Sequence, residues 1–267
     1  MRKKRELHVS NPKGQANTVE MIGHYGGDET HALSAWTSTS RILTKKKRGR
    51  IPRLLKMLAE NEHGTPFEKS MLHFLVRTDI ATHIHILKHR IGTSTNAESA
   101  RYKELKEDTY LTPDDWDEDE LAALEETANH CFKAYHEALH RMTEMGIPLK
   151  RAKESARFHL PYATQLTADV SFNWRSFFHF ISLRYSQHAQ REVRDVAREM
   201  LHCVVNLPGE PFGATMRAFG LIDDQGNIRP PFDSEELEEQ PKGLWARFYN
   251  WMSERWIRMI AHEVAKS

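Results

Sequence analysis

Apolar residues at Ile51, Leu54, Leu55 and Leu58 recur every three to four positions and predict a helix over residues 50–59. Residues 61–66 break it, and the apolar run at 71–76 (MLHFLV) then predicts a buried strand. Residues 80–87 suit a strand or a helix equally, and the Thr-Ser-Thr-Asn stretch at 93–96 reads as a loop. The longest helical pattern spans 114–145, where Leu121, Leu124, Ala128, Phe132, Tyr135, Leu139 and Met142 make one stripe. Acidic residues crowd its first turns, as the helix dipole favours; Gly146 ends it and Pro148 follows. A second helix is expected over 149–159 and a strand over 165–172. Residues 176–205 read as one long helix closed by Pro208. Residues 208–241, rich in Pro, Gly and acids, suggest an irregular connection. The tail 244–264 is amphipathic and carries Trp245, Trp251 and Trp256; a membrane-surface helix is one reading, and packing on the body or a sister subunit is favoured because Glu254 and Glu263 dilute the basic face. Long helices with few strands and no βαβ alternation predict an α+β fold.

Composition narrows the class. The chain has 267 residues, 39% hydrophobic and 28% charged, so it can bury a real core and is not of disordered type. Its two cysteines, Cys131 and Cys203, cannot build a disulfide scaffold. No apolar run approaches the ~20 residues that cross a bilayer, and MRKKRELHVS lacks a secretory apolar stretch. The expectation is a soluble, cytoplasmic protein without a membrane partner. Its 38 Lys/Arg nearly balance 37 Asp/Glu, but residues 1–56 hold 13 basic against 4 acidic side chains. Lys3-Lys4-Arg5 and Lys45-Lys46-Lys47-Arg48-Gly49-Arg50 carry most of that surplus. A nucleic-acid patch is one reading; a solvated face is favoured, since no aromatic residues interleave with the lysines.

Several chemistries are missing: there is no GxGxxG, GxxxxGK[ST], HExxH or CxxC. Among 16 histidines, His83, His85 and His89 lie close together; on a helix, His85 and His89 would share a face. No carboxylate or thiol complements them, so no metal site is expected. Lys88 to Tyr102 (KHRIGTSTNAESARY) packs cations and hydroxyls around a polar turn, donors that suit a phosphate or the polar edge of a nucleotide. A polar surface turn would look much the same. Asn173-Trp174-Arg175 and the segment 182–192 add a second cationic cluster. On one continuous helix, Arg184, His188 and Arg191 would share a face. Arg184 at the edge of an apolar stripe is either a snorkelling surface residue or a buried cation awaiting an anion.

Together these segments resemble the flavin-dependent thymidylate synthases (the ThyX family). That family carries Arg-His-Arg, seven residues, then Ser-x-Arg-Tyr; here Lys88-His89-Arg90 is followed by eight residues and Ser99-Ala100-Arg101-Tyr102. His63-Gly64-Thr65-Pro66-Phe67-Glu68, Ala156-Arg157…Leu160-Pro161, Asn173-x-Arg175-Ser176 and Leu183-Arg184…His188-Ala189-Gln190-x-Glu192 keep the family order. The resemblance covers about residues 34–194, within a catalytic domain taken as 1–207; 208–267 form an extension.

The resemblance implies an antiparallel sheet flanked by long helices, assembled as a homotetramer with active sites at subunit interfaces. It implies conversion of dUMP to dTMP with methylenetetrahydrofolate as one-carbon donor and NADPH reducing a bound FAD. Ser38, Thr65, Lys88, His89, Arg90, Asn173, Trp174, Arg175 and His179 match flavin-contacting positions. His85, Lys88, Ala97, Glu98, Ser99, Ala100, Arg101, Arg157 and Arg184 match the dUMP side, with Arg184 as the catalytic residue that polarises the uracil. Neither cysteine stands in a candidate motif, which fits a reaction without a thiol nucleophile.

Three departures stand out. Lys88 replaces an arginine, the motif loop is one residue longer, and His85 stands where the family often has glutamine. Either Ala97 or Glu98 takes the family's acidic position. A dUMP hydroxymethylase of the same fold is the alternative product chemistry, and a non-enzymatic nucleic-acid binder using residues 1–56 the alternative class.

Overall fold

The computed structural model describes residues 7–8, 12–99 and 107–232. The N-terminal lysines, Ala100, Arg101 and the amphipathic tail at 244–264 lie outside them. The described residues divide into two compact units: 7–8 and 12–22 with 73–99 and 107–171, and 23–72 with 172–232.

The first unit contains β1 (Lys13–Gln15) and most of β2 (Thr18–Tyr25). The second opens with α1 (Asp28–Ala35), α2 (Lys45–Arg48) and α3 (Ile51–Glu60). The chain returns to the first unit in β3 (Met71–Asp79) and continues through α4 (Ile80–Leu87), β4 (Thr93–Ala97) and β5 (Thr109–Leu111). Next come α5 (Glu118–Glu144), α6 (Leu149–Ala156) and β6 (Gln165–Phe172). The second unit then resumes with α7 (Trp174–Arg184), α8 (Arg191–Val205) and α9 (Gly213–Ala218). This is the expected α+β class, with a four-stranded antiparallel sheet in the order β2-β3-β6-β4 and a parallel β1–β5 pair.

Most of the periodic elements form where the pattern puts them. On α3, Ile51, Leu55, Leu58 and Ala59 are buried, and Pro at the second helical position suits a helix start. The long helix α5 begins at the cap Asp117, whose side chain accepts from Glu120 N at 2.9 Å, ahead of Glu118, Asp119 and Glu120. Its buried side, Ala128, Phe132, Tyr135 and Leu139, packs with Ala152 and Ala156 of α6 and with Tyr110 of β5. Asp117→Ala is expected to lower unfolding stability by about 1 kcal/mol in denaturant titration; an unchanged midpoint would show the cap to be dispensable.

Two sequence expectations are corrected. Residues 93–96 are not a loop but the edge strand β4: Thr93 and Thr95 alternate with exposed Ser94 and Asn96. Glu98 N, just beyond it, donates to Thr167 O at 2.9 Å. Polar residues with β-branched alternation make an adequate edge. Residues 176–205 are not one helix: α7 stops at Arg184 and α8 starts at Arg191. Pairing from a distant segment causes the break, since Phe232 N donates to Tyr185 O at 2.9 Å and Gln187 N to Phe232 O at 3.0 Å. The shared helical face of Arg184, His188 and Arg191 therefore does not exist. Residues 80–87 resolve as the helix α4, capped by Asp79 on Thr82 N at 2.9 Å. It ends before His89, so His85 and His89 share no helical face.

The core of the second unit is aromatic. Trp174 stacks on Phe212 (5.4 Å, 12°) and meets Phe177 and Phe219, while Phe67 sits edge-on to Phe219 at 4.8 Å. A buried polar chain runs beside it. The Thr215 hydroxyl donates to Asp28 Oδ1 at 2.6 Å, so it accepts from His31 Nδ1 at 3.0 Å, and His31 Nε2 accepts from the Ser70 hydroxyl at 2.8 Å. Burial holds His31 down to about 3, so the ring is neutral in the fold. The unfolded chain binds this proton near 6.5, so the contribution is complete above that pH and is lost as pH falls toward the folded value. Stability is expected to be about 2 kcal/mol lower at pH 5 than at pH 7 from this group. A His31→Gln variant with the same pH slope as the parent would refute the assignment.

Candidate functional site

The start of α7 organises the expected flavin side. Asn173 has extended backbone and its side chain accepts from Ser176 N at 2.9 Å, a cap that starts the helix at Trp174. One residue on, Arg175 projects outward and its Nη1 donates to Glu68 Oε1 at 2.6 Å. Glu68 closes the short 3₁₀ turn Thr65–Glu68, so this ion pair fixes the His63–Glu68 loop against α7. Gly64 lies directly under the guanidinium: a Cβ there would stand 3.0 Å from Arg175 Nε and 3.1 Å from Cδ and Cζ. Glycine is what lets loop and arginine approach.

Leu58, Ala59, His63, Gly64, Arg175 and His179 line a cleft, together with Phe67, Phe178 and Phe219. Its walls are mainly apolar rings and aliphatic chains, with a guanidinium, two imidazoles and the Glu62 carboxylate as polar groups. That combination fits a flat heteroaromatic ring with a hydrogen-bonding edge, as in a flavin or a pteridine. His179 sits half-buried on α7; burial, then the Arg184 and Arg175 cations, push its ring below the usual imidazole range. It is therefore a neutral hydrogen-bonding group at neutral pH. Arg184 ends α7, half-buried, where the helix C-terminus favours a cation.

The other positions divide between the units. In the second unit, Ser38 is exposed at the end of the turn Trp36–Ser38 and donates to Ala35 O at 3.1 Å, and Thr65 is exposed at the start of its turn. Trp174 is fully buried against Phe212, so its indole is part of the core rather than of the cleft wall. In the first unit, Lys88 and Arg90 are exposed beyond α4, while His89 between them is buried and its carbonyl accepts from the Thr93 hydroxyl at 2.5 Å. His85 lies on the last turn of α4. Ala97 ends β4, and the Glu98 carboxylate accepts from Thr167 N at 3.1 Å, which ties it to β6. Ser99 is half-buried, and Arg157 is exposed just after α6.

The basic stretch is exposed but partly engaged. Lys47 lies 4.9 Å over the Trp36 ring and also bonds Ser40 O, and Arg48 pairs with Glu29 at 2.5 Å.

Phe219 is a lining residue that sequence reasoning missed, as are Ala59, Glu62 and Phe178. Phe219 lies in the segment after α9, beyond the motifs, and reaches the cleft only because 208–232 folds back on α7. No local pattern marks it.

The chain matches the family described as thymidylate synthase complementing protein over residues 20–207. It is 33% identical over 186 residues to the flavin-dependent thymidylate synthase of Pseudothermotoga lettingae, covering 67% of this chain and 80% of the relative. It is 30% identical over 235 residues to that of Thermosipho africanus, covering 81% and 95%. Among solved structures, the UMP/dUMP methylase PolB of Streptomyces cacaoi bound with 5-Br dUMP matches with a TM-score of 0.66 at 27% identity. That match covers 79% of this chain and 97% of PolB. With a family match across most of its length and the cleft of α7 and the His63–Glu68 loop in place, the chain belongs to the thymidylate synthase complementing protein family.

Proposed function

We propose that the protein is an FAD-dependent thymidylate synthase that methylates dUMP to dTMP, with methylenetetrahydrofolate as carbon donor and NADPH as reductant. The observation that carries this reading is the cleft at the start of α7, where Arg175, held by Glu68, meets His63 and His179 over apolar walls. The family match and the dUMP-analogue-bound neighbour support the substrate class.

When bound, the flavin supplies the redox chemistry, and the protein supplies position and field. Arg175 is pre-aimed by its ion pair, so little side-chain entropy is lost when its guanidinium meets a ligand edge. His179, kept neutral by burial, offers a ring nitrogen without adding charge. Apolar rings at Phe67, Phe178 and Phe219 exclude water from one side of the cleft. Arg184 favours negative charge on the uracil edge, and Ser99, Arg101 and Arg157 grip the nucleotide phosphate and its surroundings. Lys88 in place of arginine gives a point charge rather than a fork at one contact.

The active enzyme is a cytoplasmic homotetramer in this reading. No helix among the described residues is long and apolar enough to cross a membrane. Purified protein is expected to be yellow, with flavin close to one per chain. Colourless protein that takes up no FAD would overturn the proposal and leave the nucleic-acid reading of residues 1–56 in its place. Because the structural neighbour is named for UMP as well as dUMP, turnover assays should run both nucleotides; dUMP is expected to be the better substrate.

A further inference from the structure

Away from the cleft, in the first unit, three metal-ligating side chains converge. Asp108 Oδ2 lies 2.8 Å from His136 Nε2, Oδ1 lies 3.0 Å from it, and Oδ2 lies 3.6 Å from His8 Nε2. The two imidazole rings meet edge-on with centroids 4.4 Å apart. Asp108 and His136 are buried, with side chains 1% and 2% exposed, whereas His8 is 36% exposed. Each comes from a different part of the chain. His136 lies on the buried side of α5, and Asp108 precedes β5 with φ +47, a left-handed conformation that Asp adopts more readily than most residues. His8 leads into β1, which is tied here by Lys13 N donating to Asp108 O at 2.9 Å.

The Asp108–His136 pair is an ordinary hydrogen bond; the approach of His8 to the same oxygen is not. Among the described residues, the Asp108 carboxylate is faced only by the two imidazoles, and a buried carboxylate requires compensating positive charge. His8 Nε2, at 3.6 Å, is too distant to hydrogen-bond yet aims at the same oxygen as His136. An ion bonded at about 2.1 Å to each atom would separate its ligands by roughly 3.0 Å at right angles and about 3.4 Å in a tetrahedron. The 3.6 Å from His8 Nε2 to Asp108 Oδ2 lies near the tetrahedral value and the 2.8 Å from His136 Nε2 to the same oxygen just under the right-angle one, and the three ligand atoms lie within 4.8 Å of one another.

We propose that His8, Asp108 and His136 form a binding site for a divalent transition-metal ion of the zinc class. Two imidazoles and one carboxylate select such ions over Mg²⁺ and Ca²⁺, which take mostly oxygen ligands. The exposed side of His8 leaves a fourth position for water. His136 Nδ1 has no hydrogen-bond partner among the described residues, so metal on Nε2 moves a proton to a nitrogen without an acceptor there, which weakens the site. The ion pins His8 to Asp108, ahead of β5, and to α5. His8 precedes the family match at residue 20, whereas Asp108 and His136 lie inside it, so the N-terminal segment supplies one of the three ligands. It is independent of the thymidylate synthase reading.

The test is calorimetric titration of Zn²⁺ into the full-length protein after removal of metals with a chelator, repeated with His8→Ala. Half-exposed His8 can be replaced without opening the core. One Zn²⁺ per chain is expected for the parent, undisturbed by millimolar Mg²⁺, and about 10- to 100-fold weaker binding for His8→Ala. Zn²⁺ should also raise the melting temperature of the parent more than that of the variant. Equal binding by parent and His8→Ala would place the zinc on other histidines and overturn the proposal. So would the absence of zinc binding to the parent.

Discussion

Arg184→Ala is expected to retain flavin at the parental level and to lose dTMP formation by about 10²- to 10³-fold in kcat, the usual cost of removing one preorganised donor. The structural reason is placement. Arg184 is the last residue of α7, half-buried, at the negative end of a helix whose other end bears the cleft. Its cation contributes to holding the His179 ring neutral, which puts its field within reach of the groups on α7. A guanidinium held there acts on charge that develops during the reaction, so kcat should fall more than KM rises. Arg184→Lys should recover part of the rate, because charge survives while the planar fork does not. A purely structural role would instead show as lost flavin or lowered stability in both variants. Normal turnover by Arg184→Ala would remove the residue from the chemistry.

Trp174→Ala should have the largest effect on stability, a loss of about 3 to 5 kcal/mol. The indole is fully buried, stacked on Phe212 and packed on Phe177 and Phe219, so its truncation opens a large cavity among aromatic rings. Its Nε1 has no hydrogen-bond partner among the described residues, so Trp174→Phe removes no bond and should cost much less. Denaturant titration of both variants measures this. At low temperature the folded fraction of Trp174→Phe should bind FAD as the parent does, because the indole lies in the core rather than on the cleft wall. A large loss of flavin affinity with unchanged stability would show the indole to be a direct flavin contact.

Much of this architecture is legible from local pattern. Strands β3 and β6 and helices α3, α5 and α6 appear where apolar periodicity, caps and breakers put them, since each is decided within its own window. Failures occur where distant residues decide. The break after Arg184 depends on Phe232 pairing with Tyr185 and Gln187, and on the Tyr185 hydroxyl donating to Arg229 O at 3.1 Å. Strand β4 needs β6 to pair with, and its polar residues give no sign of that alone.

The candidate site divides in the same way. Motif order exposes Arg175, His179 and Arg184, because residue type and spacing survive in sequence. Burial does not: Trp174 sits in a motif yet belongs to the core, and Phe219 lines the cleft without any motif. His8, Asp108 and His136, spread over the first half of the chain, share no spacing that would announce them.

The account rests most directly on the identity of the product. Mass spectrometry of the nucleotide after incubating the flavin-loaded protein with dUMP, methylenetetrahydrofolate and NADPH should find dTMP, formed only when all three are present. Recovery of 5-hydroxymethyl-dUMP instead, or of unchanged dUMP from flavin-loaded protein, would contradict it.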